Sequence, residues 1–254
     1  MRSYSQQTDF MIKGELISCN DSKDEPHGYV YLFKDSVAID SINTYHELPD
    51  ILGGFFWRSG KFKFVGLCTG KYQIRYDTYF DSNDYPIFEI NGADIKDIVI
   101  CFDKLSERYC NSETSLNRME LNDTLFINVY VALGEFGGYD EGFWITKTKS
   151  GYIGRLYKLP NTYGVHRDKS TVIKIYEENQ QDIEPISENF PLTKENLDLI
   201  GQFLLEIKYY RDNWISNAPE HFLIQDKNEL VFKVKNNSHY KPYIKLKNKI
   251  INGL

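Results

Sequence analysis

No stretch of this chain approaches the run of about 20 apolar residues that a membrane-crossing helix needs. Residues 1–19 also lack the apolar segment of a secretory leader. The string Leu16-Ile17-Ser18-Cys19 imitates a lipoprotein cleavage site, but Lys13 and Glu15 interrupt the stretch that would precede it. No membrane span is therefore expected, and the chain reads as cytoplasmic. Cysteine is scarce: Cys19, Cys68, Cys101 and Cys110 are scattered with no CxxC spacing, which argues against a zinc or dithiol redox site. One disulfide fits the count, with its partners unassigned. The histidines, His27, His46, His166, His221 and His239, form no i, i+4 pair and no HExxH. His166 with Asp168 reads as a surface loop. A Walker A string, a GxGxxG and a GxSxG elbow are missing too, so no cofactor and no metal is expected. An excess of basic charge is also lacking. The net charge of −6 argues against a general nucleic-acid binder.

Hydrophobic and aromatic residues are present in quantity. At 41% and 15% of 254 residues they suffice for one large core or two ordinary ones. The clearest pattern lies in residues 60–76, GKFKFVGLCTGKYQIRY. Phe62 and Phe64 alternate with Lys61 and Lys63. Tyr72, Ile74 and Tyr76 alternate with Lys71, Gln73 and Arg75. Period-two alternation of this kind predicts a half-buried antiparallel hairpin. Gly66 and Gly70 stand where the chain reverses, and glycine adopts the positive φ that tight turns require. Further strands are predicted at residues 9–18, 28–33, 36–39, 85–90 and 95–102, separated by polar turns. The sum is a seven-stranded antiparallel β-sandwich over residues 1–104.

Residues 10–102 resemble the carboxypeptidase regulatory-like domain, a prealbumin-type sandwich. The resemblance rests on Ile12-x-Gly14-x-Leu16, on Val30 and Leu32, and on Gly60-x-Phe62-x-Phe64-x-x-Leu67-x-x-Gly70-x-Tyr72-x-Ile74. It implies a non-catalytic accessory module of a type often found in exported bacterial proteins. Hydroxyisourate hydrolase shares this kind of sandwich but ends in Tyr-Arg-Gly-Ser. This chain ends in Ile251-Asn252-Gly253-Leu254, so that activity is not carried over.

The polar segment 105–123 reads as a linker. Beyond it, an α+β domain is predicted over residues 124–254, with one main helix packed on an antiparallel sheet. Strands are expected at 124–133, 143–148, 152–159, 171–176, 221–225, 229–235 and 243–246. The helix is expected at 194–213, with Thr193 as its N-cap and Leu197, Ile200, Leu204 and Ile207 on one face.

Three places invite chemistry. Glu135, Asp140 and Glu141 sit in the glycine-rich loop 134–142, beside Tyr139 and Trp144. Two carboxylates and stacking aromatics suit glycoside hydrolysis. Neighbouring residues of a regular strand face opposite ways, so Asp140 and Glu141 can act together only in irregular backbone. Phe55, Phe56 and Trp57 occupy a loop from which aromatics reach a glycan or a protein pocket. Residues 233–249 carry six lysines and no acid, with Tyr240 and Tyr243 interleaved. They read as a lysine-guarded edge strand in preference to a phosphate-binding tail. The leading expectation is a non-enzymatic binding protein with a protein partner, or a glycan through the aromatic loop. The alternatives are an intracellular inhibitor of a toxin or enzyme and a glycan hydrolase.

Overall fold

A computed structural model describes residues 10–19, 28–46, 57–58, 60–91, 95–132, 138–159, 184–211, 220–235 and 240–251. The chain divides into two compact units, Met1–Ser106 and Glu107–Leu254.

The first unit is a β-sandwich. One sheet has the order β10-β1-β6, from β10 (Ile95–Cys101), β1 (Phe10–Ile17) and β6 (Lys61–Leu67). The other runs β3-β2-β7-β8, from β3 (Val37–Asn43), β2 (Tyr29–Lys34), β7 (Gly70–Asp77) and β8 (Ser82–Asp84), with β9 (Phe88–Ile90) also paired to β7. A two-residue ladder joins β4 (Tyr45–His46) to β5 (Trp57–Arg58). The predicted hairpin is β6 and β7. Phe62, Phe64, Tyr72 and Ile74 are buried with Ile12, Leu16, Val30, Leu32 and Ile98, while Lys61, Lys63 and Lys71 are exposed. Each large side chain so buried contributes about 1.5–3 kcal/mol. Gly66 and Gly70 have φ of +71° and +150°. Among the described residues the two sheets hold eight strands where seven were expected, and one pair is not antiparallel. β1 runs parallel to β10, from Met11 against Ile95 to Ile17 against Cys101. Parallel neighbours need a long connection, and here most of the unit lies between them in sequence. A disulfide joins Cys19, just past the end of β1, to Cys101, the last residue of β10. Asp103 accepts hydrogen bonds from Ser18 Oγ and Cys19 N beside it.

The second unit is an α+β domain. Its sheet has the order β14-β13-β12-β11-β16-β17, with β15 (Phe190–Leu192) also on β13. The long central strands are β11 (Thr124–Ala132), β12 (Gly138–Thr148) and β13 (Gly151–Leu159). Short β14 (Glu184–Pro185) lies at one edge, and the hairpin of β16 (Glu220–Gln225) and β17 (Leu230–Lys235) at the other. All of these pairs are antiparallel. The segment expected as a linker holds the helical turns α1 (Glu107–Cys110) and α2 (Ser115–Arg118). Its Leu116 and Met119 belong to the core of this unit.

Helix α3 (Lys194–Tyr209) begins at Thr193, whose Oγ1 accepts from Asn196 N. The Asn196 side chain answers by accepting from Thr193 N, so two free helix-end donors are satisfied. Ile200, Phe203, Leu204 and Ile207 face the sheet. The expected strand at 243–246 is instead part of a second helix, α4 (Pro242–Ile251). Tyr243, Leu246 and Ile250 form its apolar stripe and join the same core.

Candidate functional site

The seven-stranded sheet has two unlike faces. Leu125, Ile127, Val129 and Val131 of β11 point toward α3 and α4 and make an apolar core. Phe126, Asn128 and Tyr130 point the other way, because successive side chains alternate. The register aligns three rows on this outward face. Asp140, Tyr130 and His221 form the first. Tyr157, Gly142, Asn128, Leu223 and Phe232 form the second. Arg155, Trp144, Phe126, Gln225 and Leu230 form the third.

The first two rows are buried, apart from the half-buried Phe232 at the edge, and are mutually bonded. Tyr157 Oη donates toward Ile127 O at 3.1 Å and Asn128 Oδ1 at 3.2 Å. Asn128 Nδ2 donates to Asp140 Oδ1 at 3.4 Å. The His221 imidazole lies between two rings, 5.6 Å from that of Tyr130 and 5.9 Å from that of Phe232, nearly parallel to both. Gly142 is required at its position, since a Cβ there would collide with the Ile127 carbonyl and lie 2.5 Å from Tyr157 Oη. Asp140 and His221 stand on β12 and β16 with β11 between them. Two strand spacings put their backbones roughly 9–10 Å apart. The arrangement is thus a fixed polar floor under aromatic rings.

The third row meets solvent. Trp144 is 40% exposed, and the Phe126 ring backs it edge-on at 6.3 Å. Its cross-strand neighbour Arg155 has no hydrogen-bonding or ion-pairing partner among the described residues, and its Nε is buried.

The carboxylates singled out in the sequence do not converge. Residues 138–142 of the expected glycine-rich loop are strand, because β12 starts at Gly138 and is regular through Asp140 and Glu141. Asp140 lies on the outward face. Glu141 lies on the helix face, where Lys247 Nζ of α4 reaches its two oxygens at 2.8 and 2.7 Å. Glu135, Phe55, Phe56, His166 and Asp168 lie outside the described residues, as does the expected strand 171–176. Trp57 pairs through its backbone with His46, and its side chain is outside the description. Of the six lysines in 233–249, Lys235 and Lys247 pair with Glu220 and Glu141.

The helix face carries its own buried polar pair. Lys235 Nζ is 3.4 Å from Glu220 Oε2, with the two side chains 2% and 6% exposed. Burial pushes the Glu220 carboxyl above its ordinary range, and the charge of Lys235 opposes that shift. Among the described residues no three His, Cys, Asp or Glu side chains gather as a metal site requires. No helix among them is long and apolar enough to cross a membrane.

Sequence reasoning missed Asn128, Tyr157 and Arg155. They lie on three strands, and only the register of β11, β12 and β13 brings them together. Comparison with family models, with curated proteins and with solved structures finds no match for this chain.

Proposed function

We propose that this chain is a binding protein that engages a protein partner through the solvent-facing row on the sheet of its second unit. The observation that carries the reading is the Arg155–Trp144 pair. A half-buried guanidinium without an acceptor forfeits about 1–3 kcal/mol, which a partner's carboxylate or carbonyl recovers. Arg and Trp are the residue types that dominate the energetics of protein interfaces. The sandwich unit serves as an accessory module, in keeping with its resemblance to carboxypeptidase regulatory-like domains. The Cys19–Cys101 disulfide supports an oxidising compartment over the cytoplasm, and so weighs against an intracellular inhibitor. The opposed carboxylates of Asp140 and Glu141 weigh against a two-carboxylate glycosidase. A quantitative pull-down tests the reading. One partner retained by the intact chain and lost with both Trp144→Ala and Arg155→Ala, each still folded, supports it. Equal capture by all three chains refutes it.

A glycan is the second reading, favoured by a different surface. Tyr29 and Tyr31 stack 5.8 Å apart on the outward side of β2, and the Arg75 guanidinium covers the Phe33 ring at 4.9 Å. Rings in line along one strand suit successive sugar units. Retardation in a polysaccharide gel, abolished by Tyr29→Ala with Tyr31→Ala, is the test.

A further inference from the structure

A cavity of about 240 Å³ opens in the second unit between α2, α3 and the β16–β17 hairpin. Its apolar wall is Leu204, Ile224 and Val231. Three cations line it, and two of them are occupied. Arg118 Nη2 donates to Asp226 Oδ2 at 2.9 Å and Glu229 Oε2 at 2.7 Å. Lys208 Nζ donates to Glu113 O at 3.3 Å and lies 5.6 Å from the centre of the Tyr209 ring. The third, Lys233, is half-buried and has no ion-pair or hydrogen-bond partner among the described residues. One lining carboxylate, that of Glu113, is likewise without an ion pair there, and it is exposed at the cavity's edge.

We propose that this cavity binds a zwitterionic α-amino acid with an apolar side chain. Lys233 takes the carboxylate, Glu113 takes the ammonium, and Leu204, Ile224 and Val231 take the side chain. Three features of one small ligand thereby match three features of the wall. Lys233 is half-buried as a residue and its ammonium has no anionic partner among the described residues, so an incoming carboxylate finds an unengaged cation beside an apolar wall. The apolar wall contributes in proportion to the area it covers. The volume falls below the roughly 300 Å³ at which pockets for drug-sized ligands begin, so a ligand of few heavy atoms is the right size. This proposal does not depend on the outward face of the sheet or on its partner.

The test is a nuclear magnetic resonance titration of the full chain with three near-isosteres. L-Leucine carries both charges, 4-methylpentanoate only the carboxylate, and 3-methylbutylamine only the ammonium. Leucine is expected to shift the amide signals of residues 113–118, 204–208 and 231–233, and to bind about tenfold or more tightly than either analogue, the ratio that one lost charged contact of about 1.4 kcal/mol produces. Lys233→Met is expected to abolish binding of leucine and of 4-methylpentanoate. Glu113→Gln is expected to equalise those two ligands. Both side chains are at least partly solvent-exposed, and an unchanged thermal melt verifies each fold. Absence of leucine-induced shifts at those residues in the unaltered chain overturns the proposal. So does equal affinity for all three compounds.

Discussion

Asp140 and Glu141 are neighbours on β12, yet their carboxylates lie on opposite faces of the sheet, one held by Asn128 and the other by Lys247. The Glu141–Lys247 contact crosses from the sheet to α4, with side chains only 12% and 25% exposed. It is therefore better shielded than a surface ion pair, which contributes about 0–1 kcal/mol. A double-mutant cycle of Glu141→Gln and Lys247→Met is expected to give a coupling of about 1 kcal/mol in urea unfolding. A coupling of zero would show that α4 is held by Tyr243, Leu246 and Ile250 alone.

Glu220 and Lys235 form a more deeply buried pair, and their response to pH has the opposite sign from the usual carboxylate. The native carboxyl titrates above the ordinary value of 4.5, raised by burial against the pull of Lys235. The native state therefore holds more protons than the unfolded chain in that window, and stability falls as pH rises through it. Lys235→Met strands the carboxylate and is expected to cost about 3–5 kcal/mol at neutral pH. The loss shrinks at about pH 4.5, where the carboxyl is closer to neutral. Changing both residues to Met is expected to restore most of the stability. Urea melts at the two pH values check all three statements.

Asp226 responds in the conventional direction. Burial works to raise its pKa, but the backbone N–H groups of Asn228 and Glu229 and the side chains of Arg118 and Ser115 outweigh it, so the native value falls below 3.8. Between the two values the unfolded chain binds the extra proton. The stabilisation is complete above about pH 3.8 and is lost as pH falls through the lower native value. Asp226→Asn is expected to flatten this acid limb while lowering stability at neutral pH. An acid limb unchanged by the substitution would rule out this assignment.

Much of the first unit was legible because its signals are local. Phe62 and Phe64 alternate with lysines before the two glycines, and Tyr72 and Ile74 with polar residues after them, so strand, face and turn can be read from one short string. The parallel pairing of β1 with β10 was not legible, since partner choice across the whole unit leaves no local trace. Helix α4 was missed for a definable reason. Lys245, Lys247 and Lys249 recur at every second position, as a guarded edge strand would. The decisive signals were Pro242 at the first helical position and Tyr243, Leu246 and Ile250 at helical spacing. For Asp140 and Glu141, the glycines at 137, 138 and 142 suggested loop. Gly142 in fact sits in the strand, where Tyr157 and the Ile127 carbonyl leave no room for a side chain.

The Cys19–Cys101 bridge offers a prediction about the first unit by itself. It spans a sequence separation of 82 residues, from the end of β1 to the end of β10. Loop-closure entropy assigns such a cross-link about 4–5 kcal/mol, acting through the unfolded chain. Cys19→Ser with Cys101→Ser is expected to lose several kcal/mol, as is treatment with reductant. The hydrogen bond from Ser18 to Asp103 does not involve the bridge, so on reduction the strand ends are expected to stay docked and the native fold to persist. Coincident denaturation curves for the oxidised and reduced protein would mean that the bridge contributes nothing.

Gly142 provides the most direct test of the outward face. Its backbone passes so close to β11 and β13 that an added methyl overlaps the Ile127 carbonyl and approaches Tyr157 Oη. The tyrosine hydroxyl is removable, but the carbonyl belongs to the central strand and cannot retreat without breaking the ladder. Gly142→Ala is therefore expected to cost about 3 kcal/mol or more, at the upper end of what overpacking produces. Gly154 is the comparison, because an added methyl there meets only side-chain atoms of Phe190 and Leu192 at 2.8–3.1 Å. Those contacts are with side chains and not with main chain, but both side chains are packed in the core, so Gly154→Ala is expected to cost about 1–2 kcal/mol, less than Gly142→Ala. Combining Gly142→Ala with Tyr157→Phe separates the two obstacles. If the main chain sets the limit, the double variant stays as unstable as Gly142→Ala. If the hydroxyl sets it, stability returns, and the Tyr157–Asn128–Asp140 network, not the strand spacing, dictates glycine at this position.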